Sequence, residues 1–221
     1  MPFTVGDAAQ IADVRPGDRI AFRLNVGDER SWIDRLQLLS AAPADAGILL
    51  SPARPVLVGI GETMPDFTLT DRDGRPVALS SLRGRVVAVT FIYTRCPLPD
   101  YCPRMIANLQ AVERRFPGRV GDDVALVAIT FDPQYDTPAR MKEYAGLFDA
   151  DRPGWHFLTG ARPDIERVCG MFGVEFWPEE GLITHTLQTA VIDREGKLAA
   201  AVEGKDYSGR QLSDLIAQFL R

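Results

Sequence analysis

An α/β sandwich preceded by a small all-β segment is the fold class that the sequence predicts, and three observations predict it. From Gly59 onward, apolar runs rich in β-branched residues alternate with segments of helical periodicity. Two of those runs, VVAVTFIY (86–93) and DVALVAITF (123–131), are almost continuously apolar, as strands covered on both faces are. Residues 1–39 instead alternate apolar and polar positions between turn signals, with no helical stretch.

The elements follow in chain order. MPFTV, RIAFRLNV (19–26) and SWIDRLQLL (31–39) read as three strands, with turns at RPGD (15–18) and GDE (27–29). Three strands bury little area, so this piece should be marginal alone. Residues 40–58, rich in Ala and Pro, read as a linker. MPDFTLTDRDGRPVALSSL (64–82) predicts a β-hairpin around Asp73-Gly74. A buried strand (RVVAVTFIYT) and a helix follow, the latter with apolar residues at 105, 106, 109, 112 and 116. After the second buried strand, TPARMKEYAGLF (137–148) starts a helix with a capping Thr and a Pro at the first helical position. WHFLTG (155–160) is extended, and ARPDIERVCGMFGV (161–174) is helical until its glycines. TLQTAVID and KLAAAVEG flank REG as a late hairpin, and SGRQLSDLIAQFLR (208–221) closes the chain as an amphipathic helix. Strands alternating with helices, plus an antiparallel late hairpin, fit a thioredoxin-like architecture over 59–221.

Composition narrows the function classes. The chain has 221 residues, 46% hydrophobic and 25% charged, with a net charge of -5. That is a globular composition, and without a basic stripe nucleic acid is not an expected partner. The run Val86–Tyr93 is far too short to cross a bilayer, so no membrane anchor is expected in this chain. MPFTVGDAAQ has neither the basic nor the apolar region of a signal peptide. The chain therefore reads either as cytoplasmic or as a piece whose upstream part lies elsewhere. Three cysteines do not form a disulfide-stapled scaffold, and an odd count leaves at least one free.

The chemistry is concentrated in YTRCPLPDYCPRM (93–105). Cys96 falls just beyond the first buried strand, where sites of α/β sheets gather. Cys102 precedes Pro103, a good first helical residue, and so reads as an N-cap. There the helix dipole should make its thiol the acidic one. Pro97 and Pro99 stiffen the loop between the sulfurs. A redox pair or a metal site is favoured over a structural disulfide or two inert thiols.

His185, in GLITHTLQTAVID, precedes the late strand in a loop that a thioredoxin-like sheet brings toward the cysteines. Two thiolates and one imidazole form a soft, low-coordinate set that suits Cu(I); Zn(II) would accept it with a fourth ligand. Asp132, before Pro133, follows the second buried strand and also points toward the site, either to orient His185 or as a turn residue. His156, between apolar neighbours, and Cys169, at helical spacing with Ile165, Val168 and Phe172, read as structural.

The segment from Met64 to Met105, then ITFDPQYDTPARMKEYA, then THTLQTAVIDREGKL, resembles the Sco/SenC family over about residues 59–221. The resemblance implies a thioredoxin fold on the exported, periplasmic or intermembrane side. It also implies copper, Cu(I) and Cu(II), held by two Cys and one His for assembly of an oxidase copper centre. By matching, Cys96, Cys102 and His185 take the ligand positions and Asp132 the acidic turn position. The family's usual cysteine spacing is C-x3-C, whereas this chain has C-x5-C. Residues 1–39 are similar to the second half of a CusF-like copper-binding β-barrel, of whose Met-x-Met-x-Phe segment only Met1 and Phe3 remain.

The leading expectation is therefore a copper metallochaperone whose partners are a cuproprotein client, such as an oxidase subunit, and a thiol reductant protein. The alternative is a thiol–disulfide oxidoreductase in which Cys96 attacks and Cys102 resolves. A peroxiredoxin-like peroxidase is a weaker third reading, suggested by Thr94 two residues before Cys96.

Overall fold

The computed structural model describes residues 4–5, 8–14, 19–26, 31–40, 57–179 and 182–220. It divides the chain into two compact units, Met1–Ala53 and Arg54–Arg221. The expected turns at 15–18 and 27–29, most of the expected linker, Met1 and Phe3 lie outside the described residues.

In the first unit, β1 (Thr4–Val5), β2 (Arg19–Val26) and β3 (Ser31–Ser40) form a sheet of order β1-β3-β2. β2 runs antiparallel to β3, and β1 pairs with it in parallel. A bidentate ion pair, Arg23 to Asp34 at 2.7 and 2.8 Å, links directly opposed residues of β2 and β3.

The second unit is built on a seven-stranded sheet. Its strands are β4 (Thr68–Asp71), β5 (Pro76–Ala78), β6 (Val86–Ile92), β7 (Val124–Thr130), β8 (Trp155–Thr159), β11 (Gln188–Ile192) and β12 (Leu198–Glu203). Their order is β12-β11-β6-β7-β8-β4-β5. β6, β7 and β8 are parallel; β11 returns antiparallel beside β6, and β4 antiparallel beside β8. Every residue of β6 and β7 is buried, the outcome their continuous apolar runs require. The expected hairpin turns at Asp73-Gly74: the Asp71 carboxylate accepts from the Asp73 and Arg75 N–H groups, and Gly74 supplies a φ of +79°.

Four helices complete the unit: α1 (Cys102–Arg115), α2 (Pro138–Leu147), α3 (Arg162–Met171) and α4 (Gly209–Ala217). Successive residues of β6 serve opposite faces of the sheet. Phe91 meets Phe172, just past α3, with centroids 5.3 Å apart. Thr90 takes a hydrogen bond from Thr189, whose hydroxyl also reaches Met105 of α1. α2 is capped by Thr137, as its sequence implies, and α4 by a Ser208–Gln211 capping box. α4 lies so close to α1 that a Cβ on Gly209 would stand 2.3 Å from that of Ala111.

One hairpin is not evident in the sequence. β9 (Phe176–Glu179) and β10 (Leu182–His185) pair with each other as a separate two-stranded sheet. Pro178 within the run argues against a strand, because proline cannot donate to a ladder. His185, expected in a loop before the late strand, is instead the last residue of β10, opposite Phe176.

His156 on β8 is half-buried, and burial, with Arg72 and Arg85 adding, lowers its pKa from the usual 6.5 to about 4. The unfolded chain thus binds a proton that the folded protein refuses between about pH 6.5 and 4. Folding stability is complete above that window and falls as pH drops through it, by at most roughly 3 kcal/mol. In urea titrations, His156→Leu is expected to flatten the decline between pH 6.5 and 4. An unchanged acid limb would show that His156 is protonated freely in the folded state.

Candidate metal centre

The predicted site residues meet at the carboxyl ends of β6 and β7. Cys96 lies in the loop after β6 and is half-buried, and the intervening residues 97–100 are exposed. Cys102 is fully buried as the first residue of α1. It is not the N-cap: Tyr101 holds that position, and Pro103 falls within the first turn. All three cysteines are free thiols.

The imidazole of His185 faces Cys102, with Nε2 4.0 Å from the sulfur. Its Nδ1 lies 3.0 Å from the carbonyl oxygen of Thr186. A carbonyl can only accept, so Nδ1 carries a proton, and Nε2 is the ring nitrogen turned toward the thiol. The ring sits against Phe131 at 4.4 Å and, edge to face, Tyr93 at 5.8 Å between centroids. Phe131 in turn stacks on Phe176 at 5.4 Å, so the aromatic cluster that holds the imidazole also holds β9.

The two thiols differ in acidity in the sense opposite to the one the sequence suggests. A hydrogen bond with the Cys102 thiol, aided by the His185 side chain and the Cys102 backbone N–H, holds the Cys96 thiol well below the ordinary range. The same hydrogen bond and burial push Cys102 up. The helix terminus acts on Cys96 through the Cys102 N–H, while burial of Cys102 itself outweighs the dipole.

Two carboxylates of the loop after β7 grip the residues before Cys96. Asp132 binds Arg95 at 2.6 Å, and the Arg95 guanidinium lies 4.5 Å from the Tyr135 ring centroid. Asp132 therefore anchors the cysteine loop, and the Thr186 carbonyl rather than Asp132 orients His185. Asp136, which the sequence reading passes over, is fully buried and accepts from the Thr94 N–H, the Thr94 hydroxyl and the Thr130 hydroxyl. Burial raises its pKa, against those hydrogen bonds. Only an Asp four residues after another in a turn-rich segment hinted at it. Cys169 and His156 lie outside this cluster as expected, Cys169 being fully buried in α3.

The cluster fits a soft metal ion. Metal–sulfur and metal–nitrogen bonds of about 2.3 and about 2.0 Å together exceed the 4.0 Å between Cys102 Sγ and His185 Nε2, so one ion can bridge them. Among the described residues, no three His, Cys, Asp or Glu side chains are already gathered as a closed site. The Cys96 side chain interacts with both members of that pair.

Residues 59–221, well over half of the chain, match the SCO1/SenC family model. The chain belongs to the SCO1/SenC family. The SCO1 protein homolog of Bacillus subtilis is 29% identical over 147 residues, 65% of this chain and 72% of the relative. The copper-bound crystal structure of Arabidopsis thaliana ScoI is similar at 27% identity with a TM-score of 0.63, over 72% of this chain and 99% of that one. Copper-bound ScoI of Bradyrhizobium japonicum is 28% identical with a TM-score of 0.60, over 72% and 99%. In this SCO1/SenC chain, the segment between the two cysteines is exposed at residues 97–100, and Cys102 is the first residue of α1.

Proposed function

We propose that this chain is a copper-binding metallochaperone that delivers copper to a respiratory oxidase copper centre or a similar exported cuproprotein. The observation that carries the reading is the 4.0 Å approach of His185 Nε2 to the Cys102 sulfur with the acidic Cys96 thiol beside them. Copper-bound relatives of the same family support it. Copper is the cargo, held by the soft donors Cys96 and Cys102 and by His185. Cys102 and His185 present their donors from ordered elements, and Cys96 supplies a thiolate from an exposed loop that can swing toward a partner. Transfer is then ligand exchange, with Cys96 the first to leave. Asp132 and Asp136 position that loop through Arg95 and Thr94. The working location is periplasmic or otherwise exported. No helix among the described residues is long and apolar enough to cross a membrane.

The acidity and partial exposure of Cys96 favour a second reading, thiol–disulfide exchange with an exported client. The Cys96 thiolate attacks a client disulfide and releases one client thiolate. Cys102, losing its proton, then displaces the second and leaves a Cys96–Cys102 disulfide, two electrons having passed to the client. His185 separates the two readings. In anaerobic Cu(I) titrations, the reduced protein should show one tight site, and His185→Ala should weaken it at least tenfold while the Cys96–Cys102 dithiol can still be oxidised by glutathione disulfide. Equal copper affinity in parent and variant would reject the three-ligand carrier.

A further inference from the structure

A directed chain of hydroxyl groups runs behind the metal centre, and no ligand role accounts for it. Tyr207, the residue before the α4 N-cap, is 7% exposed, and its hydroxyl donates to that of Thr189 at 2.6 Å. Thr189 donates at 3.0 Å to Thr90, its direct partner across β11 and β6, and Thr90 donates at 3.4 Å to the Gln188 carbonyl. The chain thus ends on the first residue of β11, three positions after His185. Gln188 lies beyond the last pair of β11 with β6, so on that side its carbonyl is held by the Thr90 hydroxyl. The Tyr207 oxygen also lies 3.3 Å from the Met105 sulfur. Met105 follows Cys102 by three positions, so the two share a face of α1, and both are buried. Long side chains on a helix lean toward its N-terminus, which lays Met105 over the turn that holds Cys102.

We infer that Tyr207 is a positioning residue: its hydroxyl ties the first turn of α1 to the start of β11 and so sets the gap between Cys102 and His185 that the metal must bridge. The inference rests on the copper-carrier reading. A helix shares no ladder with a sheet, so the place of α1 beside β11 is set by side-chain contacts such as those of Met105 with Tyr207 and Thr189. β10 shares no ladder with the larger sheet either, so the place of His185 depends on its packing against Phe131 and on where β11 begins. Tyr207 touches both sides of that gap. The phenol has a single proton and gives it to Thr189, after which each O–H donates to the next acceptor, and hydrogen bonds in such chains reinforce one another. Tyr207 is itself held from α1, where the Asn108 side chain donates to its carbonyl at 3.4 Å.

The test is a double-mutant cycle in which chelator competition gives the Cu(I) affinity of wild type, Tyr207→Phe, His185→Ala and the double variant. Phenylalanine keeps the ring and loses the hydroxyl. Alone, Tyr207→Phe should lower affinity about fivefold, the equivalent of one net hydrogen bond. In the His185→Ala background it should lower affinity less than about twofold, because no imidazole is left to misplace. Ser213→Ala removes another buried hydroxyl, one that bonds the Gly209 carbonyl within α4, and should leave affinity unchanged in both backgrounds. Equal losses from Tyr207→Phe in the two backgrounds, or no loss in either, would overturn the inference. Should that variant not fold, Thr189→Val breaks the same chain from the strand and takes its place in the cycle. Failure of wild type to bind Cu(I) tightly would instead remove the carrier reading. The nuclear Overhauser contact between the His185 ring protons and the Cys102 β-protons of the metal-free protein then decides: Tyr207→Phe must weaken it, and an unchanged contact would overturn the positioning role.

Discussion

Cys102→Ser is expected to lower Cu(I) affinity more than about a hundredfold, beyond the loss usual for groups that only support a ligand. Serine replaces a soft sulfur with a hard, protonated oxygen at the position best fixed by the fold, the buried first residue of α1. The remaining Cys96 and His185 donors cannot compensate, because Cys96 sits on a loop that must be ordered to reach the ion. Cys169→Ser is the matched control. It buries a hydroxyl in α3 and costs stability, yet its affinity should equal that of the parent. Isothermal competition against a Cu(I) chelator measures both. A loss confined to Cys169→Ser would mean that the metal lies elsewhere in the molecule.

Asp136→Ala should be the most destabilising single change near the centre. Its carboxylate is the acceptor for the Thr94 N–H and for the hydroxyls of Thr94 and Thr130. Alanine leaves those donors unpaired around a cavity, at a cost of ~3–5 kcal/mol. Asp136→Asn keeps one carbonyl acceptor but aims an amide donor at groups that are already donors, so it should fall between wild type and alanine. Denaturant midpoints give the ranking. Because Thr94 is two residues from Cys96, Cu(I) affinity should fall in the same order. A stable Asp136→Ala with intact affinity would show that the loop holds Cys96 without this carboxylate.

What the sequence made legible follows from where its signals are strong. β6 and β7 announce themselves because both faces of each are covered, so almost every side chain is apolar. α1 and α4 are readable from their apolar periodicity, and the Asp73-Gly74 turn from its chemistry. The three proposed ligands could be chosen because cysteine and histidine are scarce here, and the fold brings them together. Three things were hidden. The hairpin β9–β10 is short and carries Pro178, so its pairing depends on the Phe176–Phe131 stack and not on local propensity. The role of Asp136 depends on contacts with Thr94 and Thr130 that close only in the folded loop. The order of thiol acidities came out reversed because a cap argument counts the helix dipole but not the depth at which the thiol is buried.

The strand that presents His185 shares no ladder with the seven-stranded sheet. Exchanging the side chain at that position for another donor, such as a thioether or a second thiol, therefore leaves the hydrogen-bonded scaffold of the larger unit untouched. A designer could thus retune the preference for one cargo ion over another without breaking a main-chain pairing of the larger sheet, the cost to stability falling on the packing against Phe131.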